Sequence, residues 1–182
     1  MSSSSLDTAD RHALSAMQGW LLLGLPGEAE DEWARLTPSG RAAREALHLR
    51  WQLCAARCDW AGGLGVADEL EARHPDDPAA QLFRAYALRR VAGGGLPRAW
   101  PVLRAAAERF PEVDTIAYNL ACYAAQLGRP DEGWEWYLRA TQLSGDHDAL
   151  AALALADDDL RPLWPRIREL AQRERPRPQA SG

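Results

Sequence analysis

The sequence predicts an all-α protein, a right-handed superhelical solenoid of four helix-turn-helix repeats closed by C-terminal capping helices. Three observations predict it. A small residue followed four positions later by a larger one recurs as Ala29–Trp33, Gly63–Ala67, Ala99–Leu103 and Gly133–Tyr137, at steps of 34, 36 and 34 residues. Each pair follows a turn signal: Gly24, Cys58-Asp59-Trp60, Gly93–Gly95 and Gly128. Before each turn, residues spaced three, one and three apart mark one helix face, as in Ala13, Ala16, Met17 and Trp20, then Phe83, Tyr86, Ala87 and Arg90, then Ala117, Leu120, Ala121 and Ala124.

A small residue where two helices cross lets their backbones approach, and the larger residue one turn on fills the gap between hairpins. One hairpin cannot bury its apolar face alone, so hairpins stack, and about three are the minimum for stability. The repeats are read as 10–43, 44–79, 80–113 and 114–147. The longer middle step is assigned to the connector His74-Pro75-Asp76-Asp77-Pro78, which puts Pro75 and Pro111 in matching closing turns. Beyond the fourth repeat, Asp146 caps a helix bearing Leu150, Leu153 and Leu155. Asp157–Asp159 then break it and start a last helical segment with Leu163, Trp164, Ile167 and Leu170. This makes 148–172 a solvating cap. Residues 1–9 and the Arg/Pro-rich 173–182 read as tails, with Asp7 or Thr8 as the first cap.

Bulk properties exclude several classes. The 182 residues suit one compact domain, and 47% hydrophobic content suits a folded chain. A formal charge of −5 argues against a nucleic-acid binder working through phosphates. All basic residues are arginine, a GC-rich codon signature of bacterial type, so every exposed cation is a forked donor. Cys54, Cys58 and Cys122 do not form a disulfide framework, the start has no secretory pattern, and the apolar run Trp20–Leu25 is too short for a bilayer. A cytoplasmic location without membrane contact is expected.

The repeat resembles the tetratricopeptide repeat (TPR), over about 10–147. The third and fourth units carry the likeness best, through Phe83-x2-Tyr86-Ala87, Ala99-x3-Leu103 and Pro111, and through Leu120-Ala121, Gly133-x3-Tyr137 and Ala140. The second departs most, with Arg50-Trp51 where Leu-Gly is usual. Tyr118–Tyr123 with Gln126-Leu127-Gly128, and the ending Asp158–Trp164, are similar to a group of stand-alone bacterial repeat proteins of unassigned role. The resemblance implies a concave face lined by the first helix of each repeat. Its slots here include Arg11 and Gln18; Glu45, His48 and Gln52; Gln81, Arg84 and Leu88; and Thr115, Tyr118, Asn119, Cys122 and Gln126. Gln18, His48, Gln52, Arg84, Tyr118, Asn119 and Gln126 are the candidate partner-binding residues, with Arg84, Tyr118 and Asn119 at the centre. Some family members clamp a C-terminal carboxylate with lysines and asparagines. The lysine slots here hold Leu14, His48 or Gln81, and only Asn119 matches, so that specificity is not expected.

The resulting reading is a non-catalytic scaffold or adaptor that holds a peptide or helix in the groove, with no cofactor and no metal. The alternative is an accessory subunit or self-associating module using exposed aromatics, Trp100 and Trp136 foremost; the remaining tryptophans are expected to pack between helices. Other chemistries are weaker. His48, Cys54 and Cys58 lack a fourth ligand at metal spacing. Gly93–Gly95 precedes a helix but follows no strand and lacks the Gly-Lys-Ser/Thr of a phosphate loop. The Asp157–Asp159 run is read as a cap, not a cation site.

Overall fold

The computed structural model describes residues 6–174; of the two expected tails, Met1–Ser5 and residues 175–182 lie outside it. The helices are α1 (Thr8–Leu22), α2 (Pro26–Arg35), α3 (Pro38–Arg41), α4 (Arg44–Ala56), α5 (Trp60–Arg73), α6 (Ala79–Arg90), α7 (Leu96–Arg109), α8 (Asp114–Gln126), α9 (Pro130–Leu143), α10 (His147–Ala156) and α11 (Trp164–Glu174). A 3₁₀ segment, Asp158–Leu163, joins the last two. Among the described residues there is no strand, and no helix is long and apolar enough to cross a membrane.

Local chemistry sets the helix starts. Asp7, Asp59 and Asp146 each accept a backbone N–H from three residues on, at 2.7, 2.9 and 2.9 Å. Pro26 and Pro130 occupy the first helical position, where a missing N–H costs nothing. Left-handed residues close two of the three-residue turns between paired helices, Gly24 at φ 71° and Gly128 at φ 74°. Cys58, at φ 56°, takes the same conformation in the α4–α5 turn despite its side chain.

The chain divides into two compact units, with the boundary between Val102 and Leu103 inside α7. In the first, α1 and α2 form a hairpin, α4 lies against both, and α5 packs between α4 and α6. Leu14, Met17, Ala29, Leu36, Leu49 and Leu53 form its main cluster. In the second, α8 and α9 pair, the 3₁₀ segment seats on α8, and α10 packs on α11. Leu160, Leu163 and Ile167 are fully buried there.

All four small-residue positions are buried: Ala29, Gly63, Ala99 and Gly133. At Gly133 a Cβ would sit 3.1 Å from the Ala121 carbonyl oxygen and 3.3 Å from the Ala125 nitrogen, so α9 meets the α8 backbone directly. At Gly63 the nearest atom would be Trp51 Nε1 at 3.5 Å, an ordinary contact. Trp51 itself lies flat on Phe83 (ring centroids 4.2 Å apart) and edge-on to Tyr86, and its buried N–H has no hydrogen-bond partner among the described residues.

Two features differ from the sequence reading. The second helix of the first repeat breaks at Leu36–Thr37, because a residue before proline avoids helical backbone. Thr37 then starts α3, and its N–H and hydroxyl both donate to the buried Asp10 carboxylate (2.9 and 2.6 Å). The two extra residues of the longer repeat lie in the α6–α7 turn, Val91–Gly95, which has five residues where the other hairpin turns have three. They are not in the His74–Pro78 connector. Moved there, the register of α6 shifts by two, and its buried Ala80, Ala85 and Ala87 match buried Ile116, Ala121 and Tyr123 of α8.

Every tryptophan is half-buried, Trp100 and Trp136 included. Among the described residues arginine lies over at least five of them. Arg41 and Arg50 cover Trp33, Arg90 covers Trp60, and Arg104 covers Trp136. Arg166 covers Trp134, and Arg161 and Arg168 cover Trp164.

Urea unfolding of glycine variants tests this packing. Gly63→Ala is expected to raise stability by about 0.5–1 kcal/mol, since helix propensity improves and space exists. Gly133→Ala is expected to lower it by about 1–3 kcal/mol through forced separation of α8 and α9. Cys58→Gly relieves left-handed strain and is expected to add about 1 kcal/mol; an unchanged midpoint would contradict that strain.

Candidate functional site

In the first unit, α1 and α4 bring together three of the candidate residues. Gln18, His48 and Gln52 line a depression of about 330 Å³ with Arg44, Glu45 and Leu49. Leu49 forms an apolar floor, tied into the core. The basic groups at the rim are already engaged. Arg44 reaches Asp76 at 3.0 Å and Asp77 at 3.7 Å, and His48 Nε2 meets Asp77 Oδ2 at 2.7 Å. The hydrogen bond from Arg44 holds the Asp76 carboxyl below the usual carboxylate range. Buried Asp77 also accepts the Ala79 N–H (3.0 Å) at the start of α6, so His48 and Arg44 fasten α4 to the next helix. By contrast, Gln18 and Gln52 are exposed and make no side-chain hydrogen bond among the described residues, and Glu45 makes no ion pair there.

The corresponding face of α8 is closed by the chain itself. The Tyr118 hydroxyl donates to Asp157 Oδ2 at 3.0 Å, and the Cys122 thiol reaches the same oxygen at 3.5 Å. Gln126 donates to the Asp159 carbonyl at 3.1 Å. Asp157 Oδ1 accepts the Asp159 N–H at 3.0 Å, which shapes the turn. Three side chains four residues apart on α8 thus hold one acidic turn. Burial pushes the Tyr118 phenol well above its ordinary range, with Cys122 and the Asp157 charge adding to it. Asn119 bends back to its own helix and donates to the Thr115 carbonyl at 2.8 Å.

Arg84 joins neither group. It pairs with Asp68 of α5 at 2.6 Å. With the insertion placed after α6, Arg84 occupies the repeat position of Leu120, a packing position, and not that of Tyr118. Of the cysteines weighed as ligands with His48, Cys54 is buried, its thiol pushed up by burial, and Cys58 is exposed in a turn. Among the described residues no three His, Cys, Asp or Glu side chains gather as a metal site.

A second cleft, of about 470 Å³, lies in the second unit and was not read from the sequence beyond Trp136. Phe110, Val113, Ile116 and Trp136 give it an apolar lining, and Arg104, Arg139, Glu132 and Glu135 stand around it. Arg139 donates to the Pro111 carbonyl (3.0 Å) and Arg104 lies over Trp136, so both arginines are committed.

Comparison with solved structures shows the fold. MamA 41-end from Desulfovibrio magneticus RS-1 aligns with a TM-score of 0.62 at 18% identity, covering 94% of this chain and 100% of that one. The MamA RS-1 ArsTM double mutant gives 0.62 at 19%, covering 93% and 98%. MamA MSR-1 C2 gives 0.55 at 19%, covering 93% and 100%. The shared architecture is a TPR-like helical solenoid. No family model and no curated protein matches the chain.

Alkaline unfolding tests the closed face. The folded state favours the neutral Tyr118 phenol, while the unfolded chain ionises it near about pH 10. Its contribution is therefore complete below that pH and lost as pH rises beyond it. Tyr118→Phe is expected to flatten part of this alkaline loss and to cost about 1–2 kcal/mol at neutral pH through the missing bond to Asp157. An unchanged neutral midpoint and alkaline slope would mean that Asp157 is held without Tyr118.

Proposed function

We propose that the chain is a non-catalytic protein-binding module, an adaptor that holds a segment of another protein against α1 and α4. The supporting observation is the pair of exposed carboxamides, Gln18 and Gln52, lining one depression from two helices with no side-chain hydrogen bond among the described residues. A carboxamide offers both donor and acceptor, the complement of a peptide backbone. Leu49 beneath supplies apolar contact. The α8 face supports the same mode of use, since there a glutamine, Gln126, donates to a backbone carbonyl in the first turn of the 3₁₀ segment. Arg84, Tyr118 and Asn119, the central trio of the sequence reading, are spoken for by Asp68, Asp157 and the Thr115 carbonyl. The site is therefore proposed at Gln18 and Gln52, with His48, held by Asp77, and with Arg44 and Glu45 at its rim.

The Trp136 cleft favours a second reading, in which an accessory subunit or another copy docks an apolar side chain on aromatic surface. Affinity capture from an extract of the source cells separates the two. Gln18→Ala with Gln52→Ala touches only exposed side chains and is expected to leave stability within about 0.5 kcal/mol. Proteins retained by the unmodified chain should be lost by this double variant and kept by Trp136→Ala. The opposite pattern would move the interface to the cleft.

A further inference from the structure

We infer that the Trp136 cleft is the seat of the chain's own segment 175–180, Arg-Pro-Arg-Pro-Gln-Ala, which an outside partner must displace; this stands apart from the α1–α4 site. Connectivity brings the two together. α8 and α9 are paired and joined by three residues, so the end of α9 lies beside the start of α8 and the α7–α8 connection, which lines the cleft. α10 and α11 pack on each other across the 3₁₀ segment, so the end of α11 lies beside the start of α10, three residues past the end of α9. Glu174 thus ends α11 at the same end of the second unit as the cleft. One helix separates them. Leu170 and Arg173 line a small hollow with Trp134 on one side of α9, and Trp136, about 200° further around the helix, lines the cleft on the other. Crossing one helix takes about 10 Å, and six residues of extended proline-rich chain reach about 19 Å.

The chemistry of the segment suits what it meets. Phe110, Val113 and Trp136 offer apolar surface, and a proline ring covers such surface without bringing an N–H that the cleft cannot satisfy. Arg104 and Arg139 are turned to the Trp136 ring and the Pro111 carbonyl, and Glu132 reaches Arg129 at 3.5 Å. Glu135, between the two tryptophans on the path across α9, is exposed and makes no ion pair among the described residues. Arg175 and Arg177 supply guanidinium groups on either side of Pro176, within reach of that carboxylate. Guanidinium over indole is the cover this chain uses elsewhere, and Trp33 and Trp164 each receive two such groups. Attachment to α11 makes the encounter intramolecular, at an effective concentration of about a millimolar for so short a link.

The test is nuclear magnetic resonance of the full chain, with the Trp136 indole N–H assigned from Trp136→Phe. Combining Arg175→Ser, Pro176→Gly, Arg177→Ser and Pro178→Gly changes only residues beyond α11. This variant is expected to move the Trp136 indole and the amides of Val113 and Glu135. The Trp20 and Trp33 indoles of the first unit should stay in place, which reports that the fold persists. A free Arg-Pro-Arg-Pro-Gln-Ala peptide added to the variant should return the moved signals toward their unmodified positions. The same peptide should bind the unmodified chain at least about tenfold more weakly, because the seat is taken. Adding Glu135→Gln to the variant should weaken the peptide roughly threefold. Identical Trp136, Val113 and Glu135 signals in variant and unmodified chain would overturn the proposal and leave the cleft to an outside partner or to none. A difference that disappears on dilution of the unmodified chain would overturn it in favour of a second copy's segment. Movement of the Trp134 indole with Trp136 still would put the segment on the α11 side of α9, which also overturns it.

Discussion

Burial of one small residue per repeat where paired helices meet is the constraint from which the rest of the structure follows. Between α8 and α9 the contact is with backbone, since a Cβ on Gly133 would sit 3.1 Å from the Ala121 carbonyl oxygen. Once a hairpin closes there, the angular position of every other residue on its two helices is set. Ala29, Gly63, Ala99 and Gly133 therefore decide more than packing. They decide which side chains of the first helices are left outside the core, and so which residues are available for recognition. Arg84 illustrates the point. Two residues inserted in the α6–α7 turn rotate its equivalence from an outward position to a packing one, and it turns to Asp68.

Arginine and aspartate carry much of the polar organisation around this frame. His48 and Arg44 fasten α4 to the start of α6 through Asp77, and Tyr118 and Cys122 fasten α8 to the capping segment through Asp157. The cap is thus specified by polar contacts as well as by the burial of Leu160 and Leu163. Planar guanidinium groups over five half-buried tryptophans use a capacity that lysine lacks, shielding apolar rings while staying hydrated at their edges. In consequence, large aromatic surfaces that would otherwise be sticky are covered, and the unengaged polar groups at Gln18, Glu45 and Gln52 are conspicuous by contrast.

The helix pairs, the small-residue positions and the caps at Asp146 and Asp157 were legible in the sequence because each depends on residues close along the chain. The position of the insertion was not, since a glycine-rich turn and a proline-rich connector absorb extra residues equally well. The break before α3 was signalled by Pro38 but masked by the regular repeat length. For the site, the resemblance implied which face of the first helices is outward, and Gln18, His48 and Gln52 do line one depression. It could not tell which outward residues are already partnered. The bonds from Tyr118 and Gln126 to Asp157 and Asp159 span 39 and 33 residues, and no local pattern announces them. The Trp136 cleft escaped for a related reason, because its lining comes from three helices, α7, α8 and α9, and the α7–α8 connection.

The central claim is that α1 and α4 carry the open recognition face while that of α8 is filled by the chain itself. Nuclear magnetic resonance mapping during titration with a protein captured from the source-cell extract tests it most directly, using backbone amides, glutamine carboxamides and the tryptophan indole N–H groups as reporters. The account predicts shifts centred on Gln18, Glu45, Leu49 and Gln52, with Tyr118, Gln126 and the Trp136 indole unmoved. Shifts centred on Tyr118 and Gln126, or on Trp136, with α1 and α4 silent, would contradict it.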